Sequence, residues 1–127
     1  MRFMVFVKAN AESEAGGMPD PRSLSDMQRF NEELQKAGVL LDLNGLQPSA
    51  AGARIRYRGV ERTVIDGPFA ESKELVAGYW ILQVKSREEA VEWLKRAPFQ
   101  DGEVELRRCS SSETSTSRRS SARNTTR

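Results

Sequence analysis

The chain has 127 residues, 38% of them hydrophobic, with one cysteine, no histidine and a formal charge of +2. That length makes one domain whose core needs neither metal nor disulfide, and a single thiol, Cys109, excludes an internal disulfide framework and fits a reducing compartment. The charge is uneven: residues 1–106 carry 14 basic and 17 acidic groups, a net of −3, and six arginines follow from Arg107 onward. A slightly acidic body argues against nucleic acid as the main partner.

The opening Met1 to Val7 is broken by Lys8 and Asn10 before it reaches the length of a signal-peptide core, and no apolar run approaches a membrane span. A soluble, cytoplasmic protein with no membrane partner is the expectation. Residues 2–8 are apolar on both faces, as in a strand covered on both sides. A Gly/Pro/Glu loop from Ala11 to Pro21 follows. Ser23-Leu24-Ser25-Asp26-Met27-Gln28 offers overlapping capping boxes, and Leu24, Met27, Phe30, Leu34 and Ala37 recur at helical spacing until Gly38. Val39 to Leu46 reads as a second strand. Ala53 to Tyr57 alternates with Arg54, Arg56 and Arg58, which predicts one wet face, and Gly59-Val60-Glu61 turns it into Arg62 to Ile65.

Leu75 to Val84 is the most strand-like run and is again apolar on both faces. Ser86-Arg87-Glu88-Glu89 is a capping box opening a helix whose Ala90, Trp93, Leu94 and Ala97 share a face, with Pro98 past its end. Glu103 to Arg107 alternates as a last strand. The order is β-α-β-β-β-β-α-β, an α+β, ferredoxin-like pattern with an inserted hairpin. Two helices on one face of a sheet leave the second apolar face of residues 3–7 and 79–84 uncovered. A second copy of the chain is the simplest cover, so a homodimer with two sheets face to face is expected.

From Cys109 to Arg127 the chain is Ser, Thr and Arg with no aliphatic or aromatic side chain larger than alanine. Such a segment cannot bury enough surface to offset its ordering entropy, so residues 1–108 are expected to form the domain and 109–127 a disordered tail. Its composition also fits a reading-frame error at the Arg108 codon, which resequencing decides.

Between the hairpin and the strand at 75–84 lies Ile65-Asp66-Gly67-Pro68-Phe69-Ala70-Glu71-Ser72-Lys73-Glu74. Gly67 reaches backbone angles closed to other residues, Pro68 restricts the residue before it, and Asp66 can accept hydrogen bonds from amides just downstream. A sharp corner with a carboxylate beside free amides is the prediction. Without histidine, acid–base chemistry falls to carboxylate, lysine or tyrosine, and the candidates here are Asp66, Glu71, Lys73 and Tyr79, joined by Lys8 if the first strand lies beside 75–84. The plainer reading is that Asp66 caps a turn, Glu71 and Lys73 are solvated, and Tyr79 is core with its hydroxyl bonded. Met4, Phe6, Met27, Phe30, Tyr79, Trp80 and Trp93 either line an aromatic-ligand pocket or form ordinary core. Four arginines at 54, 56, 58 and 62 form an anion patch or a wet strand face, with no aromatic interleaving for nucleic acid. No clustered Cys or His, phosphate loop or dinucleotide fingerprint is present, so no cofactor and no metal is expected.

The Asp66-Gly67-Pro68-Phe69-Ala70-Glu71-Ser72-Lys73-Glu74 string, with Arg2 to Ala9, Ala37 to Leu41, Gly45 to Pro48 and Gly78-Tyr79-Trp80, resembles the YCII-related family in the branch called DGPF-domain proteins. The resemblance covers about residues 1–108. It implies a dimeric α/β barrel of ferredoxin-like subunits, and for some members a functional link to extracytoplasmic-function sigma factors. A distant enzymatic relative is a dehydrochlorinase with a proposed His-Asp pair, which a chain without histidine cannot reproduce. The expected function is a small-molecule-binding or accessory, regulatory module for a small anionic or aromatic ligand, bound by Asp66, Gly67, Pro68, Phe69, Glu71, Lys73, Tyr79 and Lys8. The alternative is a lyase-like enzyme using Asp66 or Glu71 as base and Lys73 or Lys8 to hold an anionic group.

Overall fold

The computed structural model describes residues 1–17, 20–70 and 74–110. The elements are β1 (Arg2–Lys8), α1 (Ala11–Glu14), α2 (Pro21–Lys36), β2 (Leu40–Gly45), a 3₁₀ turn at Ser49–Ala51, β3 (Ala53–Arg58), β4 (Glu61–Asp66), β5 (Val76–Gln83), α3 (Arg87–Lys95) and β6 (Val104–Arg108). Four strands form an antiparallel sheet in the order β2-β5-β1-β6, and β3 pairs with β4 in a separate hairpin. This is a mixed α+β architecture compatible with a ferredoxin-like fold. No helix among the described residues is long and apolar enough to cross a membrane.

The helices lie on one face of the sheet. Alternation along β1 and β5 sends Phe3, Val5, Trp80 and Leu82 into that side, where they bury with Phe30 and Leu34 of α2, Val39, Val84 and Ala90 of α3. Trp80 anchors the layer. Its ring meets Phe30 edge-on at 5.8 Å, and its indole N–H donates to Asn31 Oδ1 at 2.8 Å. The other face carries Met4, Phe6, Tyr79 and Ile81, all only half-buried, with Met4 opposite Ile81 and Phe6 opposite Tyr79. The seven aromatic and methionine residues that read as one pocket are therefore divided by the sheet: Met27, Phe30, Trp80 and Trp93 pack on the helix side, and the rest do not.

Local differences from the sequence reading have local causes. A short helix, α1, replaces the expected loop because Asn10 Oδ1 accepts from the Ser13 amide at 2.8 Å while Ser13 Oγ accepts from the Asn10 amide at 2.9 Å. The cap of α2 is Asp20, whose Oδ1 accepts from the Ser23 amide at 2.8 Å, with Pro21 in the first turn; Ser23 is a helical residue and not the cap. Leu24 is consequently exposed. Gly38 ends α2 at φ +75° as expected. At α3, Ser86 Oγ accepts from the Glu89 amide at 3.1 Å, and Glu89 reaches back to the Lys85 amide at 2.8 Å.

The β3–β4 hairpin was expected to have one wet face and has two, since every residue of it except Ile65 is exposed. Past β6, the Cys109 amide donates to the Arg2 carbonyl at 2.9 Å, which carries the pairing one residue beyond the expected boundary at 108. The expected disorder of the tail concerns residues that, from 111 on, lie outside those described.

Candidate functional site

The corner after β4 is organised by residues from three elements. Gly67 donates to the Gly52 carbonyl at 3.0 Å, the Gly67–Pro68 peptide is cis, and the Phe69 amide donates to Ser49 Oγ at 3.0 Å. Ser49 in turn donates to Glu14 of α1 twice, from its hydroxyl to Oε1 and from its amide to Oε2 at 3.0 Å. These two bonds, the hydroxyl first, hold the Glu14 carboxyl below its usual range. A Cβ at position 67 would lie 1.8 Å from the Ser49 carbonyl oxygen, so only glycine lets the two backbones approach. Arg54 lies over the Phe69 ring at 3.9 Å.

The downstream Phe69 amide, which Asp66 was expected to hold, is accepted by Ser49 Oγ, and Glu14 holds Ser49. Asp66 is the last residue of β4, paired with Ala53, and among the described residues no donor reaches its carboxylate. The amides of Gly67 and Phe69 are used inside the chain. Glu71 and Lys73 lie outside the described residues. Glu14 and Ser49 escaped the sequence reading because they are 35 positions apart, with no local pattern joining them.

Lys8 ends β1 beside β5, opposite Val76 after a register shift, and its ammonium lies 3.3 Å from Glu105 Oε1 on β6. Arg107 also reaches Glu105, at 3.2 Å, and the hydrogen bonds from Arg107 and then Lys8, with the Lys8 charge, hold that carboxyl low. Next to Lys8 opens a cleft of about 320 Å³, with Val7, Ala77 and Phe99 as apolar lining. Asn10, Glu12 and Ser13 of the α1 segment line it together with Asp101 and Glu103. The short helix α1 thus stands between this cleft and the corner, supplying Glu12 and Ser13 to one and Glu14 to the other.

Tyr79 takes a different position again. Its hydroxyl donates to Asp42 Oδ2 at 3.0 Å and accepts from Asn44 Nδ2 at 3.1 Å, while Asp42 Oδ1 accepts the Leu43 amide at 2.9 Å. Both partners come from β2, brought close by Gly78, where a Cβ would sit 2.9 Å from the Asn44 carbonyl oxygen. Asp66, Lys8 and Tyr79 hence have separate surroundings, and no hydrogen bond or ion pair among the described residues joins any two of them. A smaller cavity of about 170 Å³ lies where Met27 and Asn31 face Leu43, Gly78 and Trp80, and shares Val7 and Ala77 with the larger cleft.

The YCII-related domain profile matches residues 1–111. An uncharacterised protein of Rhizobium meliloti (strain 1021) is 33% identical over 91 residues, which are 69% of this chain and 73% of that protein. Among solved structures, 5-chloro-2-hydroxyhydroquinone dehydrochlorinase from Burkholderia phenoliruptrix AC1100, in complex with 2,5-dihydroxybenzoquinone, aligns over 83% of this chain and 91% of its own. The identity is 15% and the TM-score 0.43.

Proposed function

The chain belongs to the YCII-related family, and we propose that within it the protein is a small-molecule-binding, accessory module whose ligand is a small aromatic compound held in the cleft beside Lys8. The observation that carries this reading is the cleft itself: about 320 Å³, with Val7, Ala77 and Phe99 as apolar lining among polar residues from the α1 segment and from 101–103. Glu12, Asp101 and Glu103 outnumber Lys8 there, and Lys8 already faces Glu105, which favours a neutral aromatic over an anion. The Asp66-Gly67-Pro68-Phe69 corner supports the finer placement in the DGPF branch and, through Glu14 and α1, buttresses the cleft rim.

We read the working unit as a homodimer in which the sheet faces bearing Met4, Phe6, Tyr79 and Ile81 pack together, as in a dimeric α/β barrel. The support is that these apolar side chains lie on the face the helices leave open. Thermal-shift screening of small phenols and other aromatics against the full chain tests the ligand reading. A hit should lose at least about tenfold in affinity, roughly 1.4 kcal/mol, in Phe99→Ala and little in Lys8→Met. A hit bound equally by both variants and the parent would place the site elsewhere.

A further inference from the structure

We propose that the smaller cavity, under α2, receives the ring of the ligand, and that this ring carries a neutral acceptor oxygen, as in an aryl ketone, bound by the side-chain amide of Asn31. The cavity comes from a gap in the sheet. Gly45 of β2 pairs with Gly78 of β5, so this step of the sheet has no side chains. Leu43 and Trp80, the pair two residues along, pack on the helix side, and by alternation the glycine pair faces that side too. Val7, Met27, Leu43 and Trp80 stand around the gap. Its volume is about 170 Å³, and an apolar cavity of about 150 Å³ is enough to take up benzene. Met27 suits such a guest, because a thioether packs well against an aromatic ring.

Asn31 supplies the polar contact. The Trp80 indole N–H can only donate, so the atom that faces it at 2.8 Å is the amide oxygen, and this bond orients the amide. The Nδ2 group keeps two donors, and neither reaches an acceptor among the described residues. Asn44 and Tyr79 also border the cavity, but their side chains lie on the other face of the sheet, bonded to each other at 3.1 Å. The cavity therefore offers a ligand an apolar wall and a pair of donors. A carbonyl oxygen matches those donors, whereas a phenol or an aniline brings donors of its own and matches them less well.

This inference rests on the reading of the cleft beside Lys8 as a site for an aromatic compound, and it adds where the ring goes and what the ring carries. The two spaces share Val7 and Ala77. Phe99 of the larger cleft also meets Trp80 of the smaller cavity edge-on, at 6.1 Å. A substituent on a ring in the cavity can thus extend into the cleft.

An NMR titration of the full chain with acetophenone tests it, beside α-methylstyrene, which has the same shape without the oxygen. The Trp80 indole N–H signal, identified by comparison with Trp93→Phe, should move as acetophenone is added. Asn31→Asp keeps an oxygen for that N–H and puts an acceptor where the two donors were. Acetophenone affinity should then fall at least about tenfold more than that of α-methylstyrene. At position 45 a Cβ would meet nothing within 4 Å. Gly45→Val should therefore fill the gap without lowering the melting temperature and weaken both compounds at least about tenfold. Equal losses of the two compounds in Asn31→Asp would overturn the Asn31 contact, and a Trp80 signal that acetophenone does not move would overturn the cavity as the ring site. Binding that is lost in Phe99→Ala but kept in Asn31→Asp and Gly45→Val would overturn this inference and leave the larger cleft standing. Losses in Asn31→Asp and Gly45→Val, with Phe99→Ala binding as tightly as the parent, would support the cavity and count against the larger cleft.

Discussion

At position 67 the nearest obstacle to a side chain is backbone, the Ser49 carbonyl, which cannot rotate away. Gly67→Ala should therefore cost about 2–4 kcal/mol, on the order of 10 °C in melting temperature, because the corner must separate from the 3₁₀ turn. Gly52→Ala is the control: there a Cβ would make an ordinary contact at 3.6 Å and little should change. The carboxylates give a second test. Glu14 and Glu105 both have carboxyl pKa values below the usual 4.5. Such groups contribute stability that is present above the unfolded-state value and lost as pH falls through the folded-state value. Urea midpoints should thus decline below about pH 4.5, and Glu14→Gln should flatten part of that decline. With no histidine in the chain, the midpoint should hardly vary between about pH 6 and pH 8. A parent midpoint that changes steeply across neutrality would contradict this account.

Among the elements, α2 separates two readings of its own start. Asp20 accepts the Ser23 amide, so Asp20→Ala should lower stability by about 1 kcal/mol, while Ser23→Ala, which keeps the amide and loses a hydroxyl with no hydrogen bond among the described residues, should be near neutral. Thermal melts of the two variants check this directly, and equal losses would return the cap to Ser23. The overlapping Ser, Asp and Gln pattern at residues 23–28 suggested a later start. What decided against it was Asp20 followed by Pro21, a pairing of cap and first-turn residue that places the helix three residues earlier. The hairpin teaches the reverse lesson. Its alternation was legible, but which face was dry was not, because a face is dry only when something covers it.

For the whole molecule, β5 offers neighbouring positions with opposite roles. Leu82 is fully buried against the helices, and Ile81, one residue earlier, faces the open side of the sheet. Leu82→Ala should destabilise the chain by about 2–5 kcal/mol. Ile81→Lys should leave the subunit folded and shift sedimentation towards monomer. If both variants unfold alike, the open face belongs to the subunit core and the face-to-face assembly is wrong.

The doubly apolar runs of β1 and β5, the helical spacing of Phe30 and Leu34, the Ser86 cap and the Gly38 stop are short-range patterns, and they determined the α+β order. The corner at Gly67 was legible for the same reason, since Gly-Pro chemistry acts between neighbours. Its partners were not: Glu14 and Ser49 meet Phe69 only once α1 and the 3₁₀ turn have been brought together by the fold. Likewise the pairing of Tyr79 with Asp42, and of Lys8 with Glu105, depends on strand order and register. A sequence records which side chains each element offers; which of them share a site is decided by contacts between elements, whose energies no local spacing encodes.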